Sequence, residues 1–370
     1  MNQEEIIRYI TKLITIRSTA DNPAALQHAV DLVEKYVQTH ADVTIERFIK
    51  NGKPSFLAYK GETRPVRFDV ILNAHVDVVP GSDEQFTPRN VDGKLYGRGV
   101  FDMKAAAMLE TALFCEMVNK SPYTIGLQIV SDEETGGYDC VQYQIQQGVR
   151  ADFVVTGEHT FAPNVIYTDQ RGLLWAKVTF RGKTAHGGYP WLGDNALLRA
   201  STFAQTIVKR YPVPKEKVWG TTANIATIET TNEAYNSVPE RASVKIDFRF
   251  THDDPVFRNR ENFKDFLLSI DDTIESIEIP VFDQAMSVDA SNPYLQQLSD
   301  SLERVSGKAT EFDRRYAGGD ARHYAAVGIP AVELGLTGND MHGVAECVDL
   351  DAISRYQETL RLFLSGPDKL

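Results

Sequence analysis

The chain has 370 residues, 42% of them hydrophobic and 24% charged, with a formal net charge of −12. That length favours two cores over one, and the acidic balance argues against nucleic acid or an anionic membrane as the main partner. No run approaches the ~20 apolar residues that a membrane span needs.

The opening segment, "MNQEEIIRYITKLITI", carries acids where a leader would carry bases, and charges interrupt its apolar residues. It is expected to form an amphipathic helix and not a targeting segment. Helical patterns follow at 24–39 and 103–118, and apolar strand runs at 68–73, 124–130 and 152–156. Strands alternating with helices imply an α/β layer with a largely parallel sheet. From Gly172 the texture changes: Leu174, Ala176, Val178 and Phe180 alternate along one strand face. A helix at 194–210, with Asp194 as its expected N-cap, precedes strands at 222–230 and 241–250. A helix at 256–270 and a strand at 274–282 complete a β-α-β-β-α-β order, the ferredoxin-like arrangement. After about Gln284 the α/β texture returns, with a helix at 293–305 and a buried strand within 328–336. The expected organisation is therefore one α/β domain in two pieces, 1–171 and 285–370, interrupted by an α+β domain at 172–284. Cys115, Cys140 and Cys347 are few and widely spaced, which fits a reducing compartment and no disulfide framework.

The polar residues at the ends of the apolar runs carry the chemistry. His75 and Asp77 follow 68–73, Glu133 and Glu134 follow 124–130, Glu158 follows 152–156, and His342 follows the 331–336 run. Asp102 precedes the 103–118 helix. Strand carboxyl ends share one edge of a parallel sheet, where ligand sites form, so these seven residues are expected to converge. Taken singly, each has a plainer reading. Asp102 is a candidate helix cap, Glu133 and Glu134 a solvated turn, and Glu158 and His342 ordinary surface or structural residues. Together they pose an electrostatic problem, because clustered carboxylates repel and burying them unpaired costs several kcal/mol each. Divalent cations solve it, and imidazole with carboxylate suits zinc, with cobalt or manganese as alternatives. Two such ions balance Asp102, Glu134, Glu158 and one hydroxide, whereas one ion leaves an excess of anions. The alternation at His75-x-Asp77 puts both side chains on one face, with the carboxylate placed to back a metal-bound imidazole.

These segments resemble the zinc-dependent aminoacylase / glutamate carboxypeptidase family, which includes acetylornithine deacetylases and succinyl-diaminopimelate desuccinylases. The matching pieces are "HVDVVP" (75–80), "YGRGVFDMK" (96–104), "SDEETGG" (131–137), "TGEHT" (156–160), "GKTAHGGYP" (182–190), "NSVPERASVKIDFR" (236–249), "GGDARHYAAVGIPAVELG" (318–335) and "MHGVAECV" (341–348). They keep the family order and span nearly the whole chain. The resemblance implies a catalytic domain with a mainly parallel sheet flanked by helices, and an inserted lid and dimerisation domain. It implies two zinc ions, one on His75 and Glu158, one on Glu134 and His342, with Asp102 bridging. Asp77 would orient His75, and Glu133 would act as general base on a metal-bound water. His186 would stabilise the oxyanion, often in the site of a partner subunit. Asn236, Arg249, Gly318 and Gly319 would bind substrate. The chain departs from the family pattern at 81–91, which lacks the usual Trp, at His159, where Pro is frequent, and after Gly319, where Thr or Ser is common. Of the other histidines, His28, His40 and His252 read as surface residues, and His323 is unassigned.

The expected activity is hydrolysis of the amide bond of an N-acyl amino acid or a similar small carboxylate-bearing amide. A dipeptidase or carboxypeptidase of the same family is the alternative, since deacylase and peptidase break the same bond. A non-catalytic ligand-binding relative is the remote one. A cytoplasmic homodimer with a small-molecule or short-peptide substrate, and neither nucleic acid nor membrane as partner, completes the expectation.

Overall fold

The computed structural model describes residues 3–367. The chain divides into two compact units. The larger comprises the chain up to Asp169, Ser287–Arg315 and everything from Gly319 onward; the smaller comprises Gln170–Met286 and Tyr316–Gly318.

The larger unit is built on a nine-stranded sheet. Its centre is four parallel strands in the spatial order Ile125–Val130, Phe68–His75, Ala151–Thr156 and Ala331–Glu333. Such strands are covered on both faces and so read as continuous apolar runs; Phe68, Val70, Ile71, Leu72 and Ala74 are all buried. Antiparallel strands flank this centre. Thr44–Lys50 and Lys53–Tyr59 lie beyond Ile125–Val130, and Val165–Gln170 lies beyond Ala331–Glu333. The helix Ala105–Met117 is buried along nearly its whole length and packs on Phe68–His75, Gln3–Thr15 and Leu350–Leu364. That explains its lack of an amphipathic stripe. The expected start of this helix at 103 shifts to Ala105. A π-type turn, Val100–Lys104, precedes it, and Asp102 there has non-helical φ −128° and ψ 93°. A small antiparallel sheet of Gly338–Asn339, Cys347–Asp349, Lys94–Tyr96 and Arg89–Val91 completes the unit.

The smaller unit is a four-stranded antiparallel sheet in the order Thr222–Thr230, Arg241–Phe250, Gly172–Arg181, Ile274–Asp283. That is the ferredoxin-like order. Leu174, Ala176, Val178 and Phe180 form the buried face, as their alternation predicts, and pack with Phe203 and Ile207 of helix Ala196–Arg210 and Phe263 and Leu267 of helix Arg260–Ile270. Asn195, not Asp194, caps the first helix, accepting from Leu197 N and Leu198 N. Asp194 instead pairs with Arg199 and exchanges backbone hydrogen bonds with Lys183. Among the described residues no helix is long and apolar enough to cross a membrane.

Candidate active site

The parallel strands bring their carboxyl ends to one edge of the larger sheet. Phe68–His75 ends on His75, Ile125–Val130 leads into the turn Glu133–Thr135, and Ala151–Thr156 leads to Glu158. His75 Nε2 lies 3.1 Å from Asp102 Oδ1, 3.4 Å from Glu158 Oε1 and 4.0 Å from Glu133 Oε2. His342 reaches the same place from the small sheet, on a turn where its own φ is 60°. Its Nε2 is 3.1 Å from Asp102 Oδ2 and 3.4 Å from Glu134 Oε1. Two groups result, His75/Glu133/Glu158 and Asp102/Glu134/His342, each with its ligand atoms within 4.8 Å of one another. Asp102 touches both, one oxygen to each histidine.

Asp77 anchors this arrangement at two points. Its carboxylate accepts from Glu133 N at 3.3 Å and Glu134 N at 3.0 Å. His75 Nδ1 meets the Asp77 backbone oxygen at 3.0 Å and the carboxylate Oδ1 at 3.5 Å. A carboxylate on the free N–H groups of a turn is a strong, charge-assisted contact, so the segment carrying two adjacent glutamates is fixed against the residue that orients His75.

The electrostatics follow from burial and crowding. Burial disfavours the charged form of His75, but Asp102, Asp77 and Glu158 outweigh it and hold the imidazole well above its usual range. Asp102 and Glu134 together raise His342 to about 10. Burial and the Glu158 charge push Glu133 well above the carboxylate range. Burial and Asp102 push Glu158 the same way, yet the imidazoles of His159 and His75 bring it down to about 2. Glu134 Oε1 and Glu158 Oε1 are buried with no hydrogen-bond partner among the described residues. Unpartnered buried acceptors beside imidazole nitrogens are a costly arrangement without a cation, and the donor set fits divalent metal ions of the zinc type.

All seven expected strand-end residues therefore meet in the larger unit. The other candidates are distributed differently. Gly319 is buried in the larger unit, whereas Gly318 is exposed and belongs to the smaller one. In the smaller unit His186 and Asn236 are neighbours and both exposed: Gly187 N donates to Asn236 O at 2.7 Å, and His186 bridges to Ser237. Gly188 N donates to His186 Nδ1 at 3.1 Å. A backbone N–H can only donate, so Nδ1 accepts and the neutral ring carries its proton on Nε2. Arg249 is at the other end of the sheet, paired with Leu173, and its guanidinium is engaged by Asp247 at 3.0 and 3.2 Å. It lines an open cleft with Arg171, Lys217 and Tyr316.

Several residues at the site were not singled out from the sequence. Glu346 accepts from Arg98 Nη1 at 2.5 Å, Phe101 N at 3.0 Å and Asp102 N at 3.2 Å, while Arg98 Nη2 donates to His342 O at 2.9 Å. This buried pair holds the backbone of two metal-ligand candidates. Both residues lie inside quoted motifs, "YGRGVFDMK" and "MHGVAECV", so the signal was present. Asp320, in "GGDAR", is buried with neither carboxylate oxygen hydrogen-bonded among the described residues, and burial and Asp132 push it well above its usual range. Arg315, which pairs with Glu333 and approaches Glu158 Oε2 at 3.5 Å, has no sequence signal. His323 is buried, with Nε2 2.8 Å from Gly136 O. His28, His40 and His252 are exposed.

Residues 71–365 match the model of peptidase family M20/M25/M40, a span that includes all seven converging residues. The chain belongs to this family. Among M20/M25/M40 relatives, it is 28% identical over 355 residues to succinyl-diaminopimelate desuccinylase 2 of Ruegeria sp. strain TM1040, covering 88% of this chain and 87% of that one. It is 30% identical over 320 residues to succinyl-diaminopimelate desuccinylase of Granulibacter bethesdensis, covering 80% and 82%. The fold is that of aminopeptidase PepT from Bacillus cereus, with a TM-score of 0.75 at 18% identity over 99% of this chain and 98% of that chain. It is also that of the M20 metallo-carboxypeptidase Sso-CP2 from Sulfolobus solfataricus, with a TM-score of 0.71 at 16% identity over 99% of each chain. Membership of M20/M25/M40 makes the chain a hydrolytic enzyme.

Proposed function

We propose that this chain is a di-zinc amide hydrolase that cleaves an N-acyl amino acid or a similar small amide bearing a free carboxylate. The observation that carries the reading is the pair of ligand groups joined through Asp102, with unpartnered Glu134 and Glu158 oxygens directed into them. His75 and Glu158 would hold one ion, Glu134 and His342 the other, and Asp102 would bridge; cobalt or manganese could replace zinc. Ions seated there supply Lewis acidity, polarising the scissile carbonyl and lowering the pKa of water towards neutrality.

The chain's own residues do the rest. Glu133 shares the first group with His75, 4.0 Å from its Nε2, and stands on the turn that Asp77 holds. Its raised affinity for a proton suits a general base, which takes the proton of the attacking water and delivers it to the leaving nitrogen. His186 carries its proton on Nε2 and is exposed, so it can donate to a developing oxyanion; loss of one such donor costs about 100- to 1,000-fold in rate. Arg249, if its guanidinium leaves Asp247, and Arg171 beside it would offer cationic forks to the substrate carboxylate.

His186 and Asn236 cannot serve the same substrate as Arg249 within one protomer. His186 and Asn236 lie beyond the Arg241 end of the strand Arg241–Phe250, and Arg249 lies inside its other end; the eight steps from Arg241 to Arg249 extend roughly 26 Å at 3.3 Å per residue. A small acyl amino acid is about three residues long, on the order of 10 Å. This supports a homodimer in which one of the two sets, His186 with Asn236 or Arg249, comes from the partner's smaller unit. The free state of Cys115, Cys140 and Cys347 agrees with a cytoplasmic location.

The test is Glu133→Gln on zinc-loaded protein. Turnover of N-acyl amino acids should fall at least 100-fold while metal content stays at two ions per chain. A variant with near wild-type rate refutes the base assignment. A library that sets N-acyl amino acids beside dipeptides fixes the substrate class, and exclusive cleavage of dipeptides replaces the deacylase reading with the peptidase one.

A further inference from the structure

His159 stands beside the metal ligands, yet none of the roles above uses it. It is 2% exposed, and its ring is clamped between Phe101, at 4.7 Å between ring centres, and Phe161, at 5.3 Å. This packing fixes which way the ring points. Nδ1 faces Glu158 Oε2 at 3.4 Å and Asp102 Oδ2 at 3.9 Å, and makes no hydrogen bond among the described residues. The backbone beneath is secured as well, because Arg315 Nη2 donates to His159 O at 2.5 Å. The ligand atoms of Asp102, Glu158 and His159 lie within 4.8 Å of one another, a third group that overlaps the other two.

A buried nitrogen with no partner costs about 1–3 kcal/mol. Phe101 and Phe161 contact the ring and Arg315 holds its backbone oxygen, so Nδ1 stays turned towards Glu158 and Asp102 with only a long contact to each. Glu158 offers Oε1 towards His75 and Oε2 towards His159. We propose that His159 is a further metal ligand, adding a second imidazole to the ion shared by Glu158 and Asp102. The inference rests on the di-zinc reading above. Its consequence is metal selectivity: an extra neutral nitrogen donor favours zinc, cobalt or nickel over manganese or magnesium, which prefer oxygen, and leaves the charge of the site unchanged.

The test counts coordinated imidazoles directly. Protein labelled with 15N-histidine, stripped of metal and reloaded with two equivalents of 113Cd, should show three imidazole nitrogens split by cadmium. His159→Phe, which keeps the aromatic packing, should show two. Zinc competition titrations on the same proteins should show one ion bound at least 10-fold more weakly in the variant, with a smaller loss for manganese. Two split nitrogens in the wild type, or three in His159→Phe, overturn this inference and leave the di-zinc reading standing. No cadmium splitting and no zinc uptake by the wild type overturn both. The wild-type count needs no variant, so a poorly folding His159→Phe does not blunt the test.

Discussion

Glu346 provides the sharpest test of how the site is held. It touches no candidate ligand atom, yet its carboxylate gathers Arg98 and the backbone N–H groups of Phe101 and Asp102, and Arg98 in turn holds the backbone oxygen of His342. Both Arg98 and Glu346 are buried, at 3% and 2% exposure. In Glu346→Gln the amide can still accept from the backbone, but its NH2 group then opposes Arg98, two donors face to face. Removing one partner of a buried ion pair costs about 3–5 kcal/mol, because the other charge is left unpaired. Loosening the support of metal ligands costs 10- to 100-fold in metal affinity, or about 1.4–2.8 kcal/mol. The loss should be selective. Asp102 reaches both histidines, but His342, whose backbone oxygen Arg98 holds, belongs to one ligand group alone, whereas His75 is held by Asp77. Calorimetric zinc titration of the metal-free variant should therefore show one of two binding events weakened 10- to 100-fold and the other changed much less. Denaturant unfolding of the same protein should show a stability loss of about 3 kcal/mol or more. Two unchanged binding events at unchanged stability would refute the reasoning.

Burial, helped by the charge of Arg322, lowers His323 to about 3. Its folded pKa lies below the unfolded value of ~6.5, so its contribution is complete above that pH and is lost as the pH falls towards 3. Between pH 6.5 and 5 the loss is roughly 2 kcal/mol at 1.36 kcal/mol per unit; His323→Gln should unfold in denaturant with an acid slope shallower by that amount, and an unchanged slope contradicts the assignment. Gly137 has φ +67°, and a Cβ there would lie 2.2 Å from Asp320 Oδ1 and 2.8 Å from His323 Nε2. Gly137→Ala should therefore destabilise the larger unit by at least about 1–3 kcal/mol, read by denaturant unfolding, and a neutral effect would show that Asp320 and His323 can yield. If His186 acts across a dimer, mixing inactive His186→Ala and Glu133→Ala protomers should restore part of the activity. No rescue despite demonstrated subunit exchange would place His186 in its own subunit's site.

The parts of the site that lie on the parallel strands were readable because the signal is local. Val70, Ile71 and Leu72 mark a strand covered on both faces, and His75 and Asp77 follow at a spacing that alternation interprets. The alternation of Leu174 to Phe180 marks the one-sided sheet of the smaller unit equally well. Asp102 shows the limit. Next to a helical pattern it resembles a cap, and only the non-helical backbone at Asp102 and Met103 turns its carboxylate to both histidines. The small sheet that delivers His342 has strands of two or three residues, too short for any periodicity to register. Arg315 meets Glu158 and Glu333 through tertiary packing alone, and the fork of Arg249, open in sequence terms, is occupied by Asp247.

The central strand Ala331–Glu333 is wedged between Ala151–Thr156 and Val165–Gln170. At synthesis rates of about 5–20 residues per second, it leaves the ribosome roughly 10–35 s after Thr156. During that delay the nascent sheet keeps two unpaired edges where its middle should be, while the contiguous stretch Gln170–Met286 has already emerged and is free to fold. The candidate site is thus among the last features the ribosome makes available, and chaperone occupancy should be concentrated on those waiting edges.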